Sequence, residues 1–94
     1  MIIRFNDFTL DTSLFEEPVY VRDFDMIAWT TRKDLVFQPV TLYLQLETTE
    51  SARETSAVIM NGLRNGASRL DLAGTACEWP KKMARRLYHY LMID

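Results

Sequence analysis

Cys77 and His89 are the residues whose types are best suited to covalent chemistry, and the chain has one cysteine and one histidine. Nucleophilic catalysis needs an activated Ser, Thr or Cys beside a base, so a Cys77–His89 pair is the arrangement to consider. The local sequence favours other roles, with Cys77 as a small core residue and His89 on the solvated side of a terminal helix. The usual zinc site needs more Cys and His ligands than these two. We therefore expect no nucleophilic site, no metal and no cofactor.

Carboxylates offer the other route to chemistry. Asp7, Asp11, Asp23 and Asp25 lie in the first third of the chain, but they lack the spacing of a calcium-binding loop. Asp23-Phe24-Asp25 is more typical of a turn. Glu16-Glu17 precedes Pro18 in a predicted loop, and a chain of 94 residues can hardly frame a glycosidase cleft. No glycine-rich phosphate loop is present. The sequence therefore predicts a protein that is not an enzyme.

Composition predicts one folded domain spanning residues 1–94. Hydrophobic residues make up 48% and charged residues 26%, which is close to an average soluble domain and excludes disordered and fibrous classes. A single cysteine cannot form an internal disulfide, and the start Met1-Ile2-Ile3-Arg4 lacks a signal-peptide pattern. No apolar run approaches the length of about 18 residues that spans a bilayer. We therefore expect a cytoplasmic protein (host cytoplasm if viral) without a membrane partner.

Period-two alternation predicts strands in the first half of the chain. It is clearest over residues 40–47, where Val40, Leu42, Leu44 and Leu46 share one face and Thr41, Tyr43, Gln45 and Glu47 share the other. Shorter signals lie at residues 19–22 and 26–31. Apolar residues on both sides of Asn6-Asp7 suggest a hairpin or a single bulged strand.

Helical signals dominate the second half. Ser51 and Glu54 match a capping box, and Gly62 or Gly66 is expected to end that helix in a left-handed conformation. Residues 68–77 fit either a strand or a helix. After Pro80, apolar residues recur at three- and four-residue spacing and predict a terminal helix. The expected fold is α+β, with an N-terminal antiparallel sheet of about three to five strands packed against two or three C-terminal helices.

Charge is divided unevenly along the chain. Residues 1–50 carry four basic and nine acidic side chains, whereas residues 51–94 carry seven basic and four acidic ones. Such a division can mark an end of the chain that binds a polyanion. Small and apolar residues over residues 68–87 also fit a helix-turn-helix whose basic side chains would contact DNA phosphates, although Glu78 stands where a glycine is favoured in the turn. The residues expected to bind nucleic acid or a protein partner are Lys81, Lys82, Arg85, Arg86 and His89.

Large side chains suggest the leading hypothesis, which is contact with another protein. The chain has two Trp, four Tyr, five Phe and five Met, and aromatic residues and Met are enriched at interfaces. An acidic end of the sheet would steer a basic partner. The expected contact residues on the sheet and loop are Phe15, Tyr20, Asp23, Asp25, Trp29 and Tyr43. We therefore expect a small regulatory or inhibitory binding protein, of a size typical of phage or mobile-element accessory proteins, with a DNA-binding regulator as the alternative.

Overall fold

The computed structural model describes residues 1–6 and 8–79. Their secondary structure consists of seven short strands, one α-helix and two single 3-10 turns, at Thr12–Leu14 and Arg22–Phe24. In chain order the regular elements are β1 (Ile2–Arg4), β2 (Thr9–Asp11), β3 (Val19–Val21), β4 (Met26–Thr30), β5 (Thr41–Leu46), α1 (Thr49–Arg64), β6 (Arg69–Asp71) and β7 (Cys77–Glu78).

The strands form two sheets. The smaller sheet has the order β2-β1-β6, in which β1 pairs antiparallel with β2 and parallel with β6. The larger sheet has the order β3-β4-β5-β7 and is antiparallel throughout. Consecutive strands β3, β4 and β5 make a meander, and the later strand β7 joins its edge beside β5.

The expected arrangement of one N-terminal sheet against two or three C-terminal helices is wrong. The described residues contain two sheets, of three and four strands, and α1 as their one α-helix. The ambiguous segment at residues 68–77 is one source of the error, because it supplies strand β6 and the start of β7 rather than a helix. The predicted terminal helix, with its basic residues, lies outside the described residues.

Helix α1 begins at a side-chain capping box and ends at a glycine. Its N-cap is Thr48, one helical turn before the predicted Ser51, and the two residues form the capping box. Thr48 Oγ1 accepts the Ser51 amide at 3.1 Å, and Ser51 Oγ accepts the Thr48 amide at 3.0 Å. At the other end Gly66 has a φ of +69° and the Ala67 amide donates to Gly62 O at 2.9 Å, which is a Schellman closure. The predicted left-handed glycine is therefore confirmed.

The core lies between the larger sheet and α1. Ile27, Trp29, Leu42 and Leu44 are almost completely buried on one face of the sheet, where Ala52 and Ile59 of α1 join them. The alternation predicted over residues 40–47 is confirmed within β5, where Leu42, Leu44 and Leu46 are buried, whereas Val40 lies outside the strand and is half-buried. Each fully buried side chain of this size stabilises the fold by about 1.5–3 kcal/mol.

An aromatic contact connects the two sheets. Trp79, which follows β7, meets Phe5, which follows β1, edge to face with ring centroids 5.2 Å apart. Phe8 approaches the same indole at 5.5 Å. Because Phe5 and Trp79 are both buried, this cluster extends the core from the larger sheet to the smaller one.

Candidate protein-contact surface

Two of the expected contact residues belong to the core. Trp29 is 0% exposed and Phe15 is 5% exposed, and their rings pack edge to face at 6.1 Å. A partner cannot reach either ring while the protein is folded, so their assignment to a contact surface is corrected. Aromatic residues bury large areas in a core as readily as they do in an interface, and composition does not separate the two roles.

Tyr20 lies on the inner face of the larger sheet. It pairs with the buried Ile27 and packs against the core, although it is partly exposed. Its hydroxyl is buried and has no hydrogen-bond partner among the described residues. Tyr20 therefore supports the edge of the core, and its ring is not part of the opposite, outward surface of the sheet.

Asp23, Asp25 and Tyr43 lie at or near the surface. Asp23 is exposed in the 3-10 turn between β3 and β4. Asp25, which follows that turn, is in the left-handed region with φ 51° and accepts a hydrogen bond from Thr49 Oγ1 at 3.2 Å. Tyr43 is 39% exposed in the middle of β5. The other expected contact residues, Lys81, Lys82, Arg85, Arg86 and His89, lie outside the described residues.

The side of the meander that faces away from α1 is mostly apolar, and we call it the outer face. Its central row is Val19, Ala28 and Tyr43, which stand side by side on three adjacent strands. Val21 and Met26 form the apolar part of the next row. Val19 is 60% exposed, so this row presents hydrocarbon to the surroundings as well as the Tyr43 ring. The outer face therefore places apolar side chains in adjacent positions on three strands.

Exposed apolar side chains concentrate on this meander. Among the described residues, seven large hydrophobic side chains are exposed. Five of them lie on β3, on β5 or in the two connections of the meander, and these are Val19, Phe24, Leu35, Phe37 and Tyr43. The other two, Ile2 and Val58, lie on β1 and α1. The distribution distinguishes the meander from the rest of the described surface.

Four of those five residues were missed by the sequence interpretation, which named only Tyr43. Val19 could have been found from its alternation with the core-facing Tyr20, which assigns it to the opposite face. Leu35 and Phe37 carried a second signal, because they are apolar residues in a loop bounded by charged residues and Pro39. Phe24, between two aspartates, carried no signal that separates an exposed ring from a buried one.

One end of the outer face is acidic. Asp23 and Asp25 flank Phe24 in the connection between β3 and β4. Gln45 Nε2 donates to Phe24 O at 3.0 Å, which holds that connection against β5. Glu78 stands beside Gln45 in the strand register, and Glu47 follows directly after β5. Among the described residues, four carboxylates and one exposed cation, Arg22, therefore border the same end of the sheet, opposite the loop that joins β4 to β5, and the balance is acidic.

The described surface also has a depression beside α1. A depression of about 320 Å³ lies between α1 and the segment before β3, with Glu16, Met60 and Arg64 in its lining. The one hydroxyl there, Thr12 Oγ1, already donates to Met1 O at 3.0 Å. Within residues 1–6 and 8–79, no group of three or more His, Cys, Asp or Glu side chains is arranged to hold a metal ion.

The described part of the chain also has no helix that combines the length and apolarity needed to cross a bilayer. Comparisons with protein-family models, with curated proteins and with solved structures found no match. A function can therefore be inferred only from the described surface of the protein.

Proposed function

We propose that this protein is a non-enzymatic regulatory or inhibitory binding protein that contacts another protein through the outer face of its meander. The observation that carries the proposal is the concentration of exposed apolar side chains on the meander, with Val19 and Tyr43 on the outer face and Phe24 in the adjoining connection, all at least 39% exposed. Contiguous exposed apolar surface on a small domain is typical of a protein interaction site. Aromatic side chains are enriched in such interfaces, and Phe24 and Tyr43 supply them here.

The partner is expected to be basic where it meets the acidic end of the outer face. Asp23 and Glu47 are exposed at that end, and Glu78 is exposed on the neighbouring strand. Complementary charge raises the association rate and orients the partner, while the apolar row supplies most of the affinity. The proposed partner surface therefore has an apolar centre with Lys or Arg at one side.

The remaining parts of the proposal rest on the sequence. Action in the cytoplasm is supported by the single cysteine, which cannot form an internal disulfide. The small size is typical of an accessory protein of a phage or mobile element.

DNA binding is not favoured, because residues 69–71 and 77–78 are strands where a helix-turn-helix requires its first helix.

Affinity capture with a matched pair of variants tests this proposal. The immobilised full chain would be incubated with extract from its native host as wild type, as Tyr43→Asp and as Val58→Asp. Tyr43 and Val58 are 39% and 43% exposed, so both variants add one carboxylate at a similarly exposed apolar position. Tyr43 lies on the outer face, whereas Val58 lies on α1.

We expect one protein that wild type and Val58→Asp retain and that Tyr43→Asp loses. Its binding to purified wild-type protein should weaken as salt rises, since the acidic end contributes electrostatic attraction. Equal capture by all three proteins would contradict the outer-face assignment. Tight binding to duplex DNA that falls steeply with salt would instead favour the DNA-binding alternative.

A further inference from the structure

The connection between β4 and β5, residues 31–40, carries the most exposed large apolar side chain of the described residues. Phe37 is 98% exposed, and Leu35 in the same loop is 49% exposed. A phenyl ring left almost wholly in water gives up the stabilisation that burial would provide. The loop projects from the end of the meander that is opposite the acidic end.

The base of this loop is closed by three hydrogen bonds between two residues. The Thr31 amide donates to Val40 O at 2.9 Å, and the Val40 amide donates to Thr31 Oγ1 at 2.8 Å. The Thr31 hydroxyl in turn donates to Val40 O at 3.4 Å. Thr31 is 1% exposed and Val40 is half-buried, so these bonds are partly shielded from water. The two ends of the loop are therefore held together where they leave the sheet.

Arg32 fixes the first half of the loop. Its guanidinium donates twice to the Asp34 carboxylate, at 3.1 and 2.6 Å, and once to Ser13 O at 3.2 Å. Its amide donates to Leu14 O at 3.0 Å, and its carbonyl accepts the Leu35 amide at 3.1 Å. Leu35 thus follows a turn that is tied to the neighbouring segment of the chain. Pro39 restricts the second half, because its φ angle is fixed.

We propose that Phe37 is an anchor residue that inserts into an apolar, phenyl-sized pocket of the partner protein. This inference rests on the proposed function and adds a second point of contact to it. Interface energy concentrates in a few large side chains that enter pockets. A loop already held at its base loses little conformational freedom on binding, so more of the binding free energy of the ring is retained. The Phe37 ring is exposed, and hydrogen bonds between Thr31 and Val40 fix the base of its loop.

The charge of the loop favours a protein pocket over a lipid surface. The Arg32 charge is paired with Asp34, which leaves Lys33 as the other cation in the loop. Stable attachment of so small an apolar element to a bilayer needs a larger apolar area or a polybasic patch. The loop would lie about 17 Å from the acidic end, the length of the five residues of β4. The partner is therefore expected to combine an apolar pocket with basic residues about that far away.

Photo-crosslinking at the ring position tests the inference directly. Phe37 would be replaced by benzoylphenylalanine in the full chain, produced in its native host, with the same substitution at the exposed Val58 of α1 as control. We expect a covalent adduct with one host protein from position 37 and none from position 58. No adduct, or adducts only with lipid or with a second copy of the chain, would overturn the inference.

Affinity measurements then separate this inference from the proposed function. With the purified adduct protein as partner, Phe37→Ala should weaken binding about thirtyfold or more, as truncation of an anchor residue does. A change of less than about twofold would overturn the anchor role. If Tyr43→Asp still weakens binding in that case, the outer face remains the contact surface and only the anchor role of Phe37 is wrong. If neither variant weakens binding, both proposals fail together.

Discussion

The hydroxyl of Thr31 accepts the amide proton of Val40 at 2.8 Å and closes the loop that presents Phe37. Thr31→Val keeps the shape of the side chain but leaves that half-buried amide without its acceptor. We expect a loss of about 1–3 kcal/mol in the free energy of unfolding, measured by urea denaturation. Thr41→Val is the matched control, because among the described residues the Thr41 side chain bonds only Thr30, at 3.0 Å on the half-exposed outer side. An equal loss in both variants would contradict a special role for Thr31.

Adjacent residues of β5 should respond oppositely to the same substitution. Leu44 is 0% exposed on the inner face and Tyr43 is 39% exposed on the outer face. Leu44→Asp buries a carboxylate without a partner, at a cost comparable to the whole stability of a small domain. We expect circular dichroism to show an unfolded Leu44→Asp protein and a folded Tyr43→Asp protein. Similar spectra for the two variants would show that the strand register is wrong.

The aromatic contact between the sheets should contribute strongly to stability. Trp79 is 3% exposed and packs on Phe5 and Phe8, so Trp79→Ala removes ring contacts on both. We expect a loss of about 3–5 kcal/mol in thermal or urea unfolding. Trp79→Phe, which keeps a ring, should lose clearly less. If Trp79→Ala unfolds at nearly the wild-type midpoint, the smaller sheet is not held through this contact.

The end of α1 offers a test of backbone conformation alone. Gly66 has a φ of +69°, and a Cβ built there meets no atom within 4 Å. Gly66→Ala should therefore lower stability by about 1 kcal/mol through the left-handed backbone and not through a clash. Gly66→Asn should lower it less, because Asn tolerates this conformation better. Equal stability of all three proteins would mean that the helix end can adopt another closure.

Local patterns predicted those elements of the fold that local forces determine. The alternation around Leu42 and Leu44 predicts the buried face of β5. The two candidate glycines, Gly62 and Gly66, predict the end of α1 to within about one helical turn, and Gly66 is the one in the left-handed conformation. Strands β6 and β7 are three and two residues long, too short to show a period. The parallel pairing of β1 with β6 joins residues far apart in the chain, so no neighbouring residues specify it.

The sequence predicts the exposure of the candidate contact residues only in part. Aromatic residue type suggested contact positions, but Trp29 and Phe15 are buried whereas Phe24 and Phe37 are exposed. Exposure depends on which strands pair and on where α1 packs, and these are tertiary properties. Tyr43 was predicted correctly as an outward residue because a long alternating strand fixes its side. The sequence places Phe37 in a polar loop, but that loop has no period that would fix how far the ring is exposed.

The most direct test of the central claim is the dissociation constant of the captured partner for three purified full-length proteins. Isothermal titration would compare wild type with Tyr43→Asp and Val58→Asp, after unfolding curves show that all three are folded. Placing a carboxylate in a desolvated apolar contact costs several kcal/mol, so Tyr43→Asp should weaken binding about a hundredfold. Val58→Asp should bind within about twofold of wild type, because surface changes away from a contact have small effects. Equal affinities for Tyr43→Asp and wild type would contradict the assignment of the outer face as the contact surface.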